Sequence, residues 1–82
     1  MQTHFVGFPH ITVDPEVLGG QPTIRGMRVT VRRVLEALSR RPEWAEFHAD
    51  YPEITREDVR QALAFAASMS DARVVPLERR SA

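Results

Sequence analysis

Three stretches of this chain carry apolar residues at helical spacing, and a cap or a proline fences each one. In the first, Val31, Val34, Leu35 and Leu38 fall at i, i+3, i+4 and i+7. That spacing predicts an amphipathic helix over 31–39, with Thr30 as its N-cap. Pro42 suits the first position of a second helix over 42–50, whose Trp44 and Phe47 share a face that Tyr51 continues. Glu43 and Glu46 complement its dipole, and Tyr51-Pro52 ends it, because a residue before proline avoids the helical region. The third helix is the best marked. Thr55 caps it, Asp58 stands where a capping box usually has Glu or Gln, and Glu57 adds a carboxylate to the first turn. Val59, Ala62, Leu63 and Ala66, joined by Phe65 and Met69, form its expected buried stripe, and it is expected to end at about 68–71.

Before the helices the pattern has period two. Ile11 and Val13 alternate with His10 and Thr12, which predicts a short strand over 10–13 stopped by Asp14-Pro15. Gly19-Gly20 and Pro22 mark a turn. Residues 23–25 and 28–30 flank Gly26-Met27, and a two-residue loop with glycine first suits a type II′ hairpin. Residues 73–77 read as a short edge strand with a proline near its end. The expected fold is therefore mainly α. It is a three-helix, helix-turn-helix arrangement with a small N-terminal β-hairpin or strand element and a short C-terminal strand. The expected boundaries are an N-terminal extension over 1–9, one domain over 10–77 and a flexible tail over 78–82.

Eighty-two residues are enough for one domain and not two. A domain of this size buries roughly 60–65% of the surface its unfolded chain exposes, so its core is thin and association adds stability. A homodimer is expected. The absence of cysteine excludes a disulfide framework and thiolate metal sites. No apolar run is long enough to span a bilayer, and no Lys or Arg precedes an apolar stretch at the N-terminus. A cytoplasmic location is expected, with no membrane partner.

Net charge is zero but unevenly spread. Residues 1–41 hold six arginines against three acids, and residues 42–72 hold two against seven. A basic first half beside an acidic middle can self-associate or bind an acidic partner. Every basic residue is arginine, a bias that genome composition also produces.

Reaction chemistry is not expected. His4, His10 and His48 are scattered, with none four residues from another, so no metal site is predicted. No serine sits in a Gly-x-Ser-x-Gly setting, and Gly19-Gly20 lacks the further glycines of a phosphate loop. Most carboxylates lie in first turns of helices, where capping explains them. The chain reads as a non-enzyme without cofactor or small-molecule substrate.

The arginines are the informative set. Arg25 and Arg28 flank the expected turn and would face each other, which destabilises a hairpin unless something anionic compensates. A phosphate, a partner's carboxylates, or Asp14 or Glu16 of the same chain could do so. Arg32 and Arg33 lie in the first turn of a helix, where free N–H groups and two cations make either a phosphate cradle or a solvated polar face. On the third helix, Arg56, Arg60 and Gln61 are the expected base-reading side chains, since Arg pairs with guanine and Gln with adenine. Glu53, Glu57 and Asp58 would repel phosphates there, so weak DNA binding is expected of a monomer.

One string of residues carries a family resemblance: Ile11-Thr12-Val13-Asp14-Pro15-Glu16-Val17, then Gly19-Gly20-Gln21-Pro22-Thr23-Ile24-Arg25-Gly26-Met27-Arg28-Val29, then Tyr51-Pro52-Glu53-Ile54-Thr55 and Val59-Arg60-Gln61-Ala62-Leu63. Over about residues 10–77 the chain resembles the domain-of-unknown-function family numbered four-three-three, of VapB-like antitoxins. The resemblance implies a homeodomain-like fold with a small β element and a role in a type II toxin–antitoxin system. The implied partners are a PIN-like ribonuclease toxin and the chain's own operator DNA. Gly20, Pro22, Arg25, Gly26 and Arg28 carry over as the family's signature, without assigned roles. The chain departs from the family's pattern at Arg41 before the proline, at Met27, and in a longer second helix. The alternative to the antitoxin reading is a protein-interaction module without DNA binding.

Overall fold

A computed structural model describes residues 2–70 of the protein. Its first third is a sheet. Strands β1 (Thr3–Phe5), β2 (Phe8–Val13) and β3 (Thr23–Ile24) form a three-stranded antiparallel sheet in the order β1-β2-β3. Three helices follow: α1 (Val31–Arg40), α2 (Trp44–Asp50) and α3 (Arg56–Ser68).

The sheet has two working faces, as period-two alternation requires. Ile11 pairs with Ile24 in register, and both are fully buried. Thr12 pairs with Thr23, and their hydroxyls lie 3.0 Å apart, so two buried polar side chains satisfy each other. The helices complete the core with Val31, Val34, Phe47, Ile54, Ala62 and Phe65. Phe5 and Phe8 clasp the Phe65 ring at centroid distances of 4.7 and 5.4 Å, each worth about 0.5–1.5 kcal/mol beyond burial.

This architecture corrects the mainly α expectation. The sheet is not an appendage to a homeodomain-like helical bundle; it supplies the two isoleucines at the centre of the core. Ile11 and Ile24 pack directly against the helix residues of the core, so the sheet forms a second layer. The residues assigned to an N-terminal extension fold as β1 and the start of β2. The expected strand at 73–77 and the tail at 78–82 lie outside the described residues.

Helix α1 matches its expected limits, and Thr30 accepts the Arg33 N–H at 2.9 Å as its cap. Helix α2 starts two residues later than predicted, with Glu43 as its N-cap and Pro42 in the preceding loop. Its aromatic row holds: Phe47 lies between Trp44 and Tyr51, at centroid distances of 5.7 and 5.1 Å. Helix α3 has the predicted capping box, with Thr55 and Asp58 each bonding the other's backbone N–H.

Ala62 and Phe65 are buried and Val59 packs against the core as expected, but the edge of the α3 stripe differs. Its buried face is Asp58, Gln61, Ala62 and Phe65, while Leu63 is 53% exposed and Met69 64%. Asp58 and Gln61 are turned inward by partners on the sheet side, and that rotation carries Leu63 to solvent.

Candidate functional site

The hairpin turn comes one residue earlier than the sequence suggested. Met27 N–H donates to Ile24 O at 2.7 Å, so Arg25 and Gly26 are its central residues, at φ 45° and 75°. Positive φ at both positions is the type I′ pattern rather than II′. Arg25 therefore sits inside the turn and does not face Arg28 across a closing pair. A left-handed backbone disfavours a side chain by about 1–2 kcal/mol. From there, however, the Arg25 guanidinium reaches the start of α3.

The anion that compensates Arg25 is Asp58, not Asp14 or Glu16. Arg25 Nε donates to Oδ1 at 2.9 Å and Nη2 to Oδ2 at 2.8 Å, a two-pronged contact, and Nη2 also donates to Glu53 O at 2.8 Å. Asp58 has no exposed surface. Its Oδ2 also accepts the Thr55 N–H at 2.8 Å, and Oδ1 lies 2.6 Å from His10 Nδ1. Burial pushes the Asp58 carboxyl up. The Arg25 contact, the Thr55 N–H and His10 outweigh it and hold the pKa at about 2, against an ordinary 3.8. Facing an ionised carboxylate, His10 Nδ1 must carry the proton. His10 N–H donates to Gln61 Oε1 at 2.8 Å, so β2, the turn and α3 are joined in one polar cluster. Every buried side-chain polar atom among the described residues has a partner.

Other signature residues serve the backbone here. Gly20 has φ 79°, and Pro22 O accepts the Val31 N–H at 3.0 Å as α1 begins. Gly26 N–H donates to Thr12 Oγ1 at 2.8 Å, and a Cβ at Gly26 would strike the end of the Gln2 side chain. Arg28 is exposed and has no partner among the described residues.

The candidate base-reading residues do not sit together as free side chains. Gln61 is buried, 5% exposed, and bonds Glu57 as well as His10. Arg60 is exposed and forms two bonds with Glu57, at 2.9 and 2.7 Å. Those bonds, with Gln61, hold the Glu57 carboxyl down at about 2. Arg56 lies 4.6 Å from the Trp44 ring centroid, a cation–π contact. Arg32 pairs with Glu36 one turn along α1 at 3.1 Å. Arg33 is exposed and unpaired among the described residues.

Two kinds of surface remain. A groove of about 440 Å³ runs between α1 and α3, with Val31, Leu35, Phe65 and Ala66 among its lining. On the other side of α1, two recesses share Tyr51 and are flanked by arginines. Among the described residues, no group of three or more His, Asp or Glu side chains is placed to hold a metal, and no helix is long and apolar enough to cross a membrane.

The sequence signal missed was the joint one. A hairpin in want of an anion and a capping Asp in place of Glu were each visible; their 33-residue separation hid that one answers the other.

Fold and site together define a small α+β module, with a turn ion-paired to a helix start and charged side chains arrayed outside. The chain belongs to the family described as Protein of unknown function (DUF433), whose model matches residues 11–66. No curated protein and no solved structure matches the chain.

Proposed function

We propose that this protein is the antitoxin of a type II toxin–antitoxin pair. In this reading it binds and neutralises a PIN-like ribonuclease, and as a homodimer it binds its own operator DNA and represses it. It works as a cytoplasmic binding module and not as an enzyme, and it needs no cofactor.

The observation that carries the reading is how the polar cluster divides the molecule's charge. Arg25, Asp58 and Gln61 are spent on holding the sheet to α3. What α3 turns outward is Arg56, the ion pair of Glu57 and Arg60, then Leu63, Ala67 and Ser68. A charged start with an apolar continuation is a surface suited to gripping a macromolecule. The apolar groove between α1 and α3 supports a protein partner, because apolar grooves accept helices or strands of partners.

Titration of the DNA upstream of the coding frame with the full chain tests the operator half. Salt-sensitive, sequence-dependent binding is expected. No binding at low salt, with or without the toxin, would remove it.

One observation favours the interaction module without DNA binding: Arg60 and Gln61 are both engaged with Glu57, leaving few free base-reading groups on α3. Toxin binding without DNA binding would establish that reading.

A further inference from the structure

The arginines without an ion-pair partner among the described residues are not scattered. Arg33 and Arg40 stand seven residues apart on α1, which places them on one side of the helix, and Arg41 follows as its C-cap. Arg28 and Arg33 flank one recess against Tyr51, while Arg40 and Arg41 flank the next, also against Tyr51. All four arginines are exposed, and none has an ion-pair partner among the described residues. Asp50 is the one carboxylate lining either recess. The arginines elsewhere in the described residues are engaged: Arg25 with Asp58, Arg32 with Glu36, Arg60 with Glu57, and Arg56 on Trp44.

We propose that this α1 face, Arg28, Arg33, Arg40 and Arg41 about Tyr51, is the surface that grips the sugar–phosphate backbone of duplex DNA. This rests on the DNA-binding reading above and moves its main electrostatic contact from α3 to α1. Arg33 and Arg40 are separated by about 10.5 Å of helix rise, at 1.5 Å per residue. At that separation two long arginine side chains can reach separate phosphates of one strand. A tyrosine between cations adds a hydroxyl of the kind that bonds phosphate oxygens. Four exposed cations with a single carboxylate, Asp50, among the lining favour a polyanion, and a duplex presents a regular run of phosphates.

The test is a binding titration of the full chain on two probes, the upstream DNA and a mixed-sequence 20-base-pair duplex, over a range of salt from about 50 to 200 mM. Arg33→Gln/Arg40→Gln is compared with Arg56→Gln/Arg60→Gln, with a thermal melt of each. The first variant is expected to keep its melting temperature and to lose about 2 from the salt slope, on both probes alike. Wild-type binding with a slope unchanged in that variant, or lost only in the α3 variant, overturns the inference and leaves DNA binding standing. No wild-type binding to either duplex overturns both. Poly-glutamate competing as well as duplex at equal charge would assign the face to an acidic protein and overturn the inference.

Discussion

Arg25 and Asp58 lie 33 residues apart in the chain and meet through two charge-assisted hydrogen bonds, at 2.9 and 2.8 Å, on a carboxylate with no exposed surface. Removing one partner of such a pair leaves a buried charge uncompensated, which costs about 3–5 kcal/mol when both groups are buried. The Arg25 side chain is 40% exposed, so water can reach part of the vacated site. Arg25→Ala is therefore expected to destabilise the fold by about 2–3 kcal/mol. Arg28→Ala, at an exposed position with no partner among the described residues, should change stability by less than about 0.5 kcal/mol. Urea denaturation of both variants measures the difference.

The same carboxylate gives the fold a signature in acid. The folded pKa of Asp58 is about 2, below the ordinary 3.8. A depressed carboxylate contributes stability that is present above the unfolded pKa and lost as pH falls through the folded one. The contribution amounts to about 2 kcal/mol, lost between roughly pH 4 and pH 2. Asp58→Asn is expected to be less stable at pH 7 and to lose less on acidification. Glu57 titrates in the same window, so Glu57→Gln is the necessary comparison. Urea midpoints measured from pH 6 to pH 2 check this.

Phe65 and Leu63 should behave oppositely. Phe65 is 6% exposed and packs against Phe5 and Phe8, so Phe65→Ala is expected to cost about 3–5 kcal/mol. Leu63 is 53% exposed, and Leu63→Ala should fall within about 0.5 kcal/mol of wild type. Equal losses in thermal melts would mean that α3 is rotated from the phase described.

Gly26→Ala addresses the turn. At φ 75° an added Cβ is strained by about 1–2 kcal/mol, and it also displaces the Gln2 side chain. A matching loss of stability is expected, with Gly7→Ala, at φ 86° and with no neighbour within 4 Å among the described residues, losing only the backbone share. Chemical denaturation of the two variants separates the contributions.

Much of the helical part was legible because its signals are local. The cap at Thr30, the capping box at Thr55 and Asp58, and the stripe Val31, Val34 each lie within one or two turns. The sheet was underestimated because β1 is three residues long and pairs across a bulge, too short for alternation to register. Apolar spacing places Val59, Ala62 and Phe65 against the core but cannot show that the buried face extends to two polar residues, Asp58 and Gln61, rather than to Leu63, because their partners are distant in sequence. The candidate DNA contacts were legible only as residue types. Which arginines are spent on Asp58, Glu36, Glu57 and Trp44, and which remain free, is decided by packing.

The proposed antitoxin function is tested most directly by adding the full chain to the product of the neighbouring reading frame, expected on this proposal to be a PIN-like ribonuclease, and measuring cleavage of a single-stranded RNA. The expected result is loss of ribonuclease activity that is complete near a fixed stoichiometry, with the two proteins eluting together by size. Undiminished cleavage at a large excess of this protein, with the two eluting apart, would contradict it.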